Sequence, residues 1–315
     1  MGGRVSGQGV SFLINRLIGA VGVALGALTL VFMILYLLPG DPAFLIAGED
    51  APDAVVEKIR AKLGTDRPFI EQYFTYLGKL LHGDFGTSYL TGEPVLHRIL
   101  AQLPATLELT LVATAIAVIL GLAVGVVAAV NRGRALDQFL QATSLFVGSM
   151  PSFWLGILLI LLFSVHLRWL PATGNGSLAQ MILPAACLGL GAGGDLARMT
   201  RDCVLDVLDD PFVVTLRAKG LAERTVLYRH VLRSALIPVI TMLGNRIGTL
   251  LSGTVVIEAV FARQGLGRII SESLDSKDIP MVMAAVLMAS LFYILISLAI
   301  DLSYSRIDRR VRLQG

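Results

Sequence analysis

Charge is what this sequence has least of. Asp, Glu, Lys and Arg together make up 16% of the 315 residues, where a soluble domain carries about a quarter. Hydrophobic residues reach 55%, and the mean hydropathy is +0.75. This shortage, together with long uncharged runs, excludes an ordinary soluble domain and puts the chain in the membrane class. Cysteine is scarce as well. Cys187 and Cys203 stand in or beside apolar segments, without a C-x-x-C spacing or a histidine cluster. That excludes a disulfide framework or a thiolate metal site and leaves two inert packed thiols. His82, His97, His166 and His230 are scattered, and none has the spacing of a metal or haem ligand set. No G-x-x-x-x-G-K-S/T loop occurs, so the chain has no P-loop for a nucleoside triphosphate. Tandem repeats and long low-complexity stretches are missing too.

What is present is a series of apolar runs. A spanning helix needs about 20 mostly apolar residues. Residues 17–40 are uncharged. Arg4 and Arg16 precede that run, which is longer than a signal-peptide core and lacks a small-residue cleavage site, so it reads as a retained first helix. Further runs cover 109–131, 138–167, 169–194 and 279–300, with Pro171 and Gly174–Gly176 delaying the fourth helix to near Met181. The stretch 238–258 contains Asn245, Arg246, Ser252 and Glu258 but is otherwise too apolar for a solvated loop. The expected fold class is an all-α integral membrane protein with six transmembrane helices, near 17–38, 103–131, 137–166, 181–201, 236–258 and 280–302. Gly22/Gly26, Gly121/Gly125 and Gly244/Gly248 have GxxxG spacing and read as helix-packing sites.

Orientation follows from Lys and Arg placement. With residues 1–16 inside, fifteen basic residues fall on inner segments: Arg4, Arg16, Arg132, Arg134, the seven of 198–233, and Arg306, Arg309, Arg310 and Arg312. The short outer loops hold Arg168, Arg263, Arg268 and Lys277. Both termini are therefore expected to be cytoplasmic, and the net charge of +3 reflects topology, not nucleic acid. Residues 39–102 face outward as an extracytoplasmic insertion after the first helix, with nine acids against six bases and helical apolar spacing over Pro52–Leu63 and Phe69–Leu81.

The inward loop between the fourth and fifth spans, 202–233, is the most informative segment. Asp210 and Pro211 suit the N-cap and first turn of a helix, and Gly220 stops it. A second short helix is expected over 222–232, with Glu223 at its positive end and Val226, Leu227, Val231 and Leu232 as an apolar face opposite Arg224, Arg229 and His230. Physics alone leaves two readings open: a docking element for a partner, or a loop lying on the anionic inner leaflet.

Ala218-Lys219-Gly220-Leu221, followed by Arg229-His230-Val231-Leu232-Arg233-Ser234-Ala235-Leu236-Ile237-Pro238, resembles the EAA loop of bacterial ABC-importer permeases. The resemblance covers nearly the whole chain and is narrowest to the dipeptide/oligopeptide permease subfamily, first subunit of the pair. It also rests on Leu38-Pro39-Gly40-Asp41-Pro42, Gly83-Asp84-Phe85-Gly86-Thr87-Ser88, Leu103-Pro104-Ala105-Thr106-Leu107-Glu108-Leu109, Pro151-Ser152-Phe153-Trp154 and Trp169-Leu170-Pro171-Ala172-Thr173-Gly174. Glu258, Phe261, Gly265-Leu266-Gly267 and Asp278-x-Pro280 complete the series. Val214-Thr215-Leu216 stands where the general signature has Glu-Ala-Ala, Ala222 where a capping Ser is common, and Gln264 where a Pro is usual.

The resemblance implies a permease core over 103–315 in the bacterial cytoplasmic (inner) membrane. It implies a coupling helix that sits in a groove of an ATPase subunit through Ala218, Lys219, Gly220, Leu221, Glu223, Arg224, Leu227, Arg229 and His230. Implied partners are a second related permease forming a heterodimer, two ATPase subunits or one fused ATPase holding ATP and Mg, an extracytoplasmic substrate-binding protein, and membrane lipid. The chain itself carries no cofactor. The cargo implied is a di- or oligopeptide; related permeases carry a nickel chelate or haem. The insertion, with Glu258, Phe261, Gly265, Gly267 and Asp278, is the implied receptor surface. Asp195 and Arg246 stand inside spans where the family pattern has neutral residues. With Asn245 they are candidates for the translocation pathway. Asp195 pairs either with Arg246 across helices or with Arg198 or Arg201 along its own. Two other classes fit less well. A membrane enzyme would need a nucleophile and base, yet there is no H-E-x-x-H, and Leu250 stands where Ser252-Gly253 would need a Gly to match an intramembrane serine protease. A secondary transporter would show inverted repeats and several mid-membrane acids.

Overall fold

The computed structural model describes the backbone of residues 4–48 and 50–307, and the side chains of 16, 18–48, 50–240, 242–244 and 246–298. Arg309, Arg310 and Arg312, which contribute to the orientation argument, lie outside the described residues, as does the Asn245 side chain. Among the described residues the chain is helical, with one isolated bridge, Thr87 to Pro94. Four helices are long and apolar enough to cross a membrane: Ile18–Leu37, Val95–Val130, Glu223–Gly244 and Ile279–Leu298. A fifth crossing results if the bent pair Ala135–Ser149 and Ser152–His166 is one span.

Two compact units divide the chain. The first comprises 1–106 and 264–295. It contains α1 (Arg4–Leu37), α2 (Pro42–Ala47), α3 (Asp53–Leu63) and α4 (Phe69–Leu81). Pro52 and Pro68 precede α3 and α4, and Gly64, with φ +74°, ends α3 in the left-handed conformation that glycine adopts without strain. Leu28, Phe32 and Leu35 of α1 pack with Val282, Met283 and Leu287, and Phe69, Tyr73 and Leu77 of α4 close over them. A second core joins Val95 and Ile99 to Leu266, Ile269 and Met281.

The second unit comprises 107–263 and 296–315. α5 (Val95–Val130) starts outside it. Within it lie α6 (Ala135–Ser149), α7 (Ser152–Leu159, running on as π-helix to His166), α8 (Leu178–Leu208) and α9 (Pro211–Ala218). One helical turn, α10 (Glu223–Thr225), passes through a π-helical stretch, Val226–Val231, into α11 (Leu232–Val260). α12 (Leu266–Asp275) belongs to the first unit, and α13 (Ile279–Ile307) ends the described chain. α8 starts with a full capping box, Ser177 and Gln180 each satisfying the other's backbone N–H. It packs most extensively on α11 and α6.

Three expectations change. The run 137–166 is not one rod: the chain bends by 106° at Met150–Pro151, where proline cannot continue the preceding helix. α5 begins at Val95, inside the region expected as outer insertion, where Val95 and Ile99 are fully buried although His97 and Arg98 stand between them. The segment 222–232 is no separate helix but the start of α11.

Candidate functional site

On the loop between α8 and α11, Asp210 accepts a hydrogen bond from the Phe212 N–H at 3.1 Å and caps α9, with Pro211 in its first turn. Gly220, at φ +79°, makes the turn. Ala222 stands at the next cap with no side-chain hydrogen bond. The two sides of the turn are clasped by Arg217, which donates to both carboxylate oxygens of Glu223 at 2.7 and 3.2 Å, a fork geometry suited to guanidinium and carboxylate. Glu223, Arg224 and Arg229 are exposed, as are Ala218, Lys219 and Gly220; Leu221, Leu227 and His230 are half-buried. The apolar face expected to be outward is turned in. Val226 and Val231 are fully buried with Val204, Val213 and Ala235, and Leu227 and Leu232 pack against them. The most exposed apolar side chains are instead Val214 and Tyr228, at 62% and 63% exposure, with Phe212 also exposed. Sequence periodicity missed Tyr228 because π-helical winding over 226–231 rotates the face.

The second site lies between α8 and α11. Asp195 is bonded to Arg198 one turn along α8 at 2.5 Å and to Arg246 of α11 at 2.7 Å, so the two alternatives left open by the sequence coexist. Small residues bring α8 close to its neighbours: a Cβ on Gly253 of α11 would stand 3.1 Å from the Leu188 side chain of α8. A Cβ on Gly194 would stand 2.6 Å from the Ser144 carbonyl oxygen of α6, and one on Gly125 2.6 Å from the Ala197 carbonyl oxygen. Two turns along from Asp195, Arg201 donates to both oxygens of Asp137 at 2.7 and 2.9 Å, and Asp137 also accepts from Gly133 N and Gln141. Sequence reading did not foresee that pair. A cavity of about 200 Å³ opens beside Asp195 and Arg246, lined also by Gly148, Met150, Ser152, Cys187, Thr249 and Leu250. The Cys187 thiol, expected to be inert, donates to the Ser152 carbonyl at 3.1 Å.

The residues expected on the receptor surface lie inside this chain. Glu258, Phe261 and Asp278 are 0%, 1% and 2% exposed, and Gly265 and Gly267 are buried; none presents a surface. Asp278 is internal because its carboxylate accepts from the Ser88 hydroxyl and, at 3.1 Å, from the Tyr89 N–H. Beside it, the Lys277 ammonium donates to the carbonyls of Leu38, Pro39 and Gly40. This supplies donors to the end of α1, where helix carbonyls lack partners.

Apolar helices, charges held in pairs between them and a clasped loop beside the bundle define a helical membrane permease. Residues 121–313 match the family described as binding-protein-dependent transport system inner membrane component, and 9–110 match the N-terminal membrane component of such systems. The chain belongs to this family of ABC-importer permeases, which are non-catalytic subunits. It is 42% identical over 303 residues to the glutathione transport system permease protein GsiC of Salmonella paratyphi A, covering 96% of this chain and 99% of that protein. Identity to GsiC of Escherichia coli is 41% over the same length and coverage. In fold it is similar to an inward-facing structure of the MetNI methionine ABC transporter, with TM-score 0.60, 22% identity, and coverage of 69% of this chain and 99% of that one. An amino acid ABC transporter structure with histidines matches at TM-score 0.52 and 15% identity, over 69% of this chain and 95% of that one.

Proposed function

We propose that this chain forms half of the translocation pathway of an ATP-driven importer of short peptides. In this reading it crosses the membrane six times, α6 and α7 together making one crossing and α8 another. Both termini and the α9–α10 turn are cytoplasmic, and the 39–102 insertion is outside. The observation that carries it is the clasped turn: Val214 and Tyr228 project from an element fixed by Arg217–Glu223 and by a buried valine core. A rigid knob of this kind suits the groove of an ATPase. The contact set is Ala218, Lys219, Gly220, Leu221, Glu223, Arg224, Arg229 and His230, joined by Tyr228 and Val214. Asp195, Asn245 and Arg246 line the path. Partners are a second related permease, two ATPases or one fused ATPase holding ATP and Mg, and an extracytoplasmic binding protein. That protein meets exposed residues of the insertion, among them Ile70 and Phe74.

The names of the relatives make a glutathione-sized peptide the first cargo to try; a nickel chelate or haem is the alternative. The test is ATP hydrolysis. The purified chain should show none, and co-expression with the products of neighbouring genes should give hydrolysis stimulated by cargo-loaded binding protein. Tyr228→Ala should lower that stimulation severalfold without changing the melting of the permease. Transport by this chain without any ATPase would overturn the reading.

A further inference from the structure

The Asp195 cluster carries more positive than negative charge. Arg198 and Arg246 share one carboxylate, so two guanidinium groups stand against one acid and the cluster is left with a unit of positive charge. Arg201, further along α8, is held by two carboxylates, Asp137 and Asp202, so that neighbouring group carries a unit of negative charge, but none of its three residues lines the cavity beside Arg246. The surplus is also the accessible part: the side chains of Arg246 and Arg198 are 38% and 36% exposed, that of Asp195 19%. Arg246 meets Asp195 closest at Nη2–Oδ2, 2.7 Å, and its side chain is 38% exposed, so its guanidinium can present donors to a further carboxylate, whose geometry such a fork matches. The cavity it borders, about 200 Å³, is below the ~300–1,000 Å³ of a pocket that encloses a whole ligand. It takes one end of a substrate.

We propose that this cluster is a carboxylate-exchange site that selects for acidic groups on the cargo; the identity of that cargo rests on the peptide reading above. A substrate carboxylate takes the free side of Arg246 and displaces Asp195 from it. Asp195 keeps its bond to Arg198, so the exchange leaves no buried charge unpaired, which is the outcome that makes breaking an ordinary buried ion pair costly. As the substrate leaves, Asp195 takes Arg246 back and resets the site. A cargo with an extra carboxylate gains from the positive surplus, and a cargo with an extra ammonium is repelled by it.

The test uses the full complex in proteoliposomes and compares uptake of trialanine with its central-glutamate analogue. Dividing each variant's rate by the parent's for the same peptide cancels the preference of the binding protein. Arg246→Gln should lower uptake of the acidic peptide about tenfold more than that of trialanine, the scale of one charged hydrogen bond, and Arg246→Lys should keep part of the preference. An equal loss for both peptides, or none, refutes the proposal. A second measurement is independent of cargo. With Ala192→Cys on the cavity wall, in a Cys187→Ser, Cys203→Ser background, an anionic methanethiosulfonate should react faster than a cationic one, and Arg246→Gln should abolish the difference. Equal rates in the parent refute the proposal. If the parent complex moves neither peptide, the peptide reading falls, and the thiol rates still decide on the site.

Discussion

At Asp195 a single carboxylate holds two arginines from two helices. Its pairing is legible in the sequence, because an ionised group in an apolar run must find a partner. Asp137 and Arg201 are not legible as a pair. Each stands near the end of an apolar run, where a charge ordinarily reaches water, and nothing local brings them to 2.7 Å. Tyr89 offers a test on the segment between α1 and α5. Burial, reinforced by the Asp278 carboxylate, pushes its phenol from 10.0 up to about 12. Between those values the folded protein keeps a proton that the unfolded chain has lost. Stability therefore falls as pH climbs through that window, with no effect at neutral pH. Phenolate absorbance should show Tyr89 ionising late, and Tyr89→Phe should remove that component. Ionisation of Tyr89 near its ordinary value would contradict the burial described.

Among the helices, small residues decide what sits next to what. The three GxxxG pairs look alike in sequence. The structure separates two of them: a Cβ at Gly125 would collide with the Ala197 carbonyl and Thr200, while one at Gly26 meets nothing within 4 Å. Gly125→Ala should cost about 1–3 kcal/mol, as overpacking does. Gly26→Ala should be neutral or stabilising by up to ~1 kcal/mol, from helix propensity. Thermal unfolding of both variants in one detergent ranks them, and equal shifts would show that α5 and α8 are not in close contact. Hydropathy located the apolar part of α1, α5 and α13 but not the ends of the helices. It reports apolar composition, and α5 and α8 continue as ordinary helix beyond their apolar runs. The bend at Pro151 and the π-helical entry to α11 escaped because neither changes composition.

As a whole the molecule is a path without an engine: a permease of this family hydrolyses no ATP. A long segment joins α1 to α5, and two consecutive residues hold both ends of it. Lys277 grips the backbone carbonyls of residues 38–40, and Asp278 grips Ser88 and the Tyr89 N–H. Four of these five bonds go to main-chain atoms, which any sequence supplies. The stretch 41–87 is thus a cassette with a generic socket. A graft of that stretch from a relative, keeping the apolar residues that face α1, should seat without repair and bring its receptor preference with it. Binding of each parent's receptor protein to the chimera measures the outcome, and a chimera that folds yet follows its host's receptor would mean that recognition lies outside the cassette.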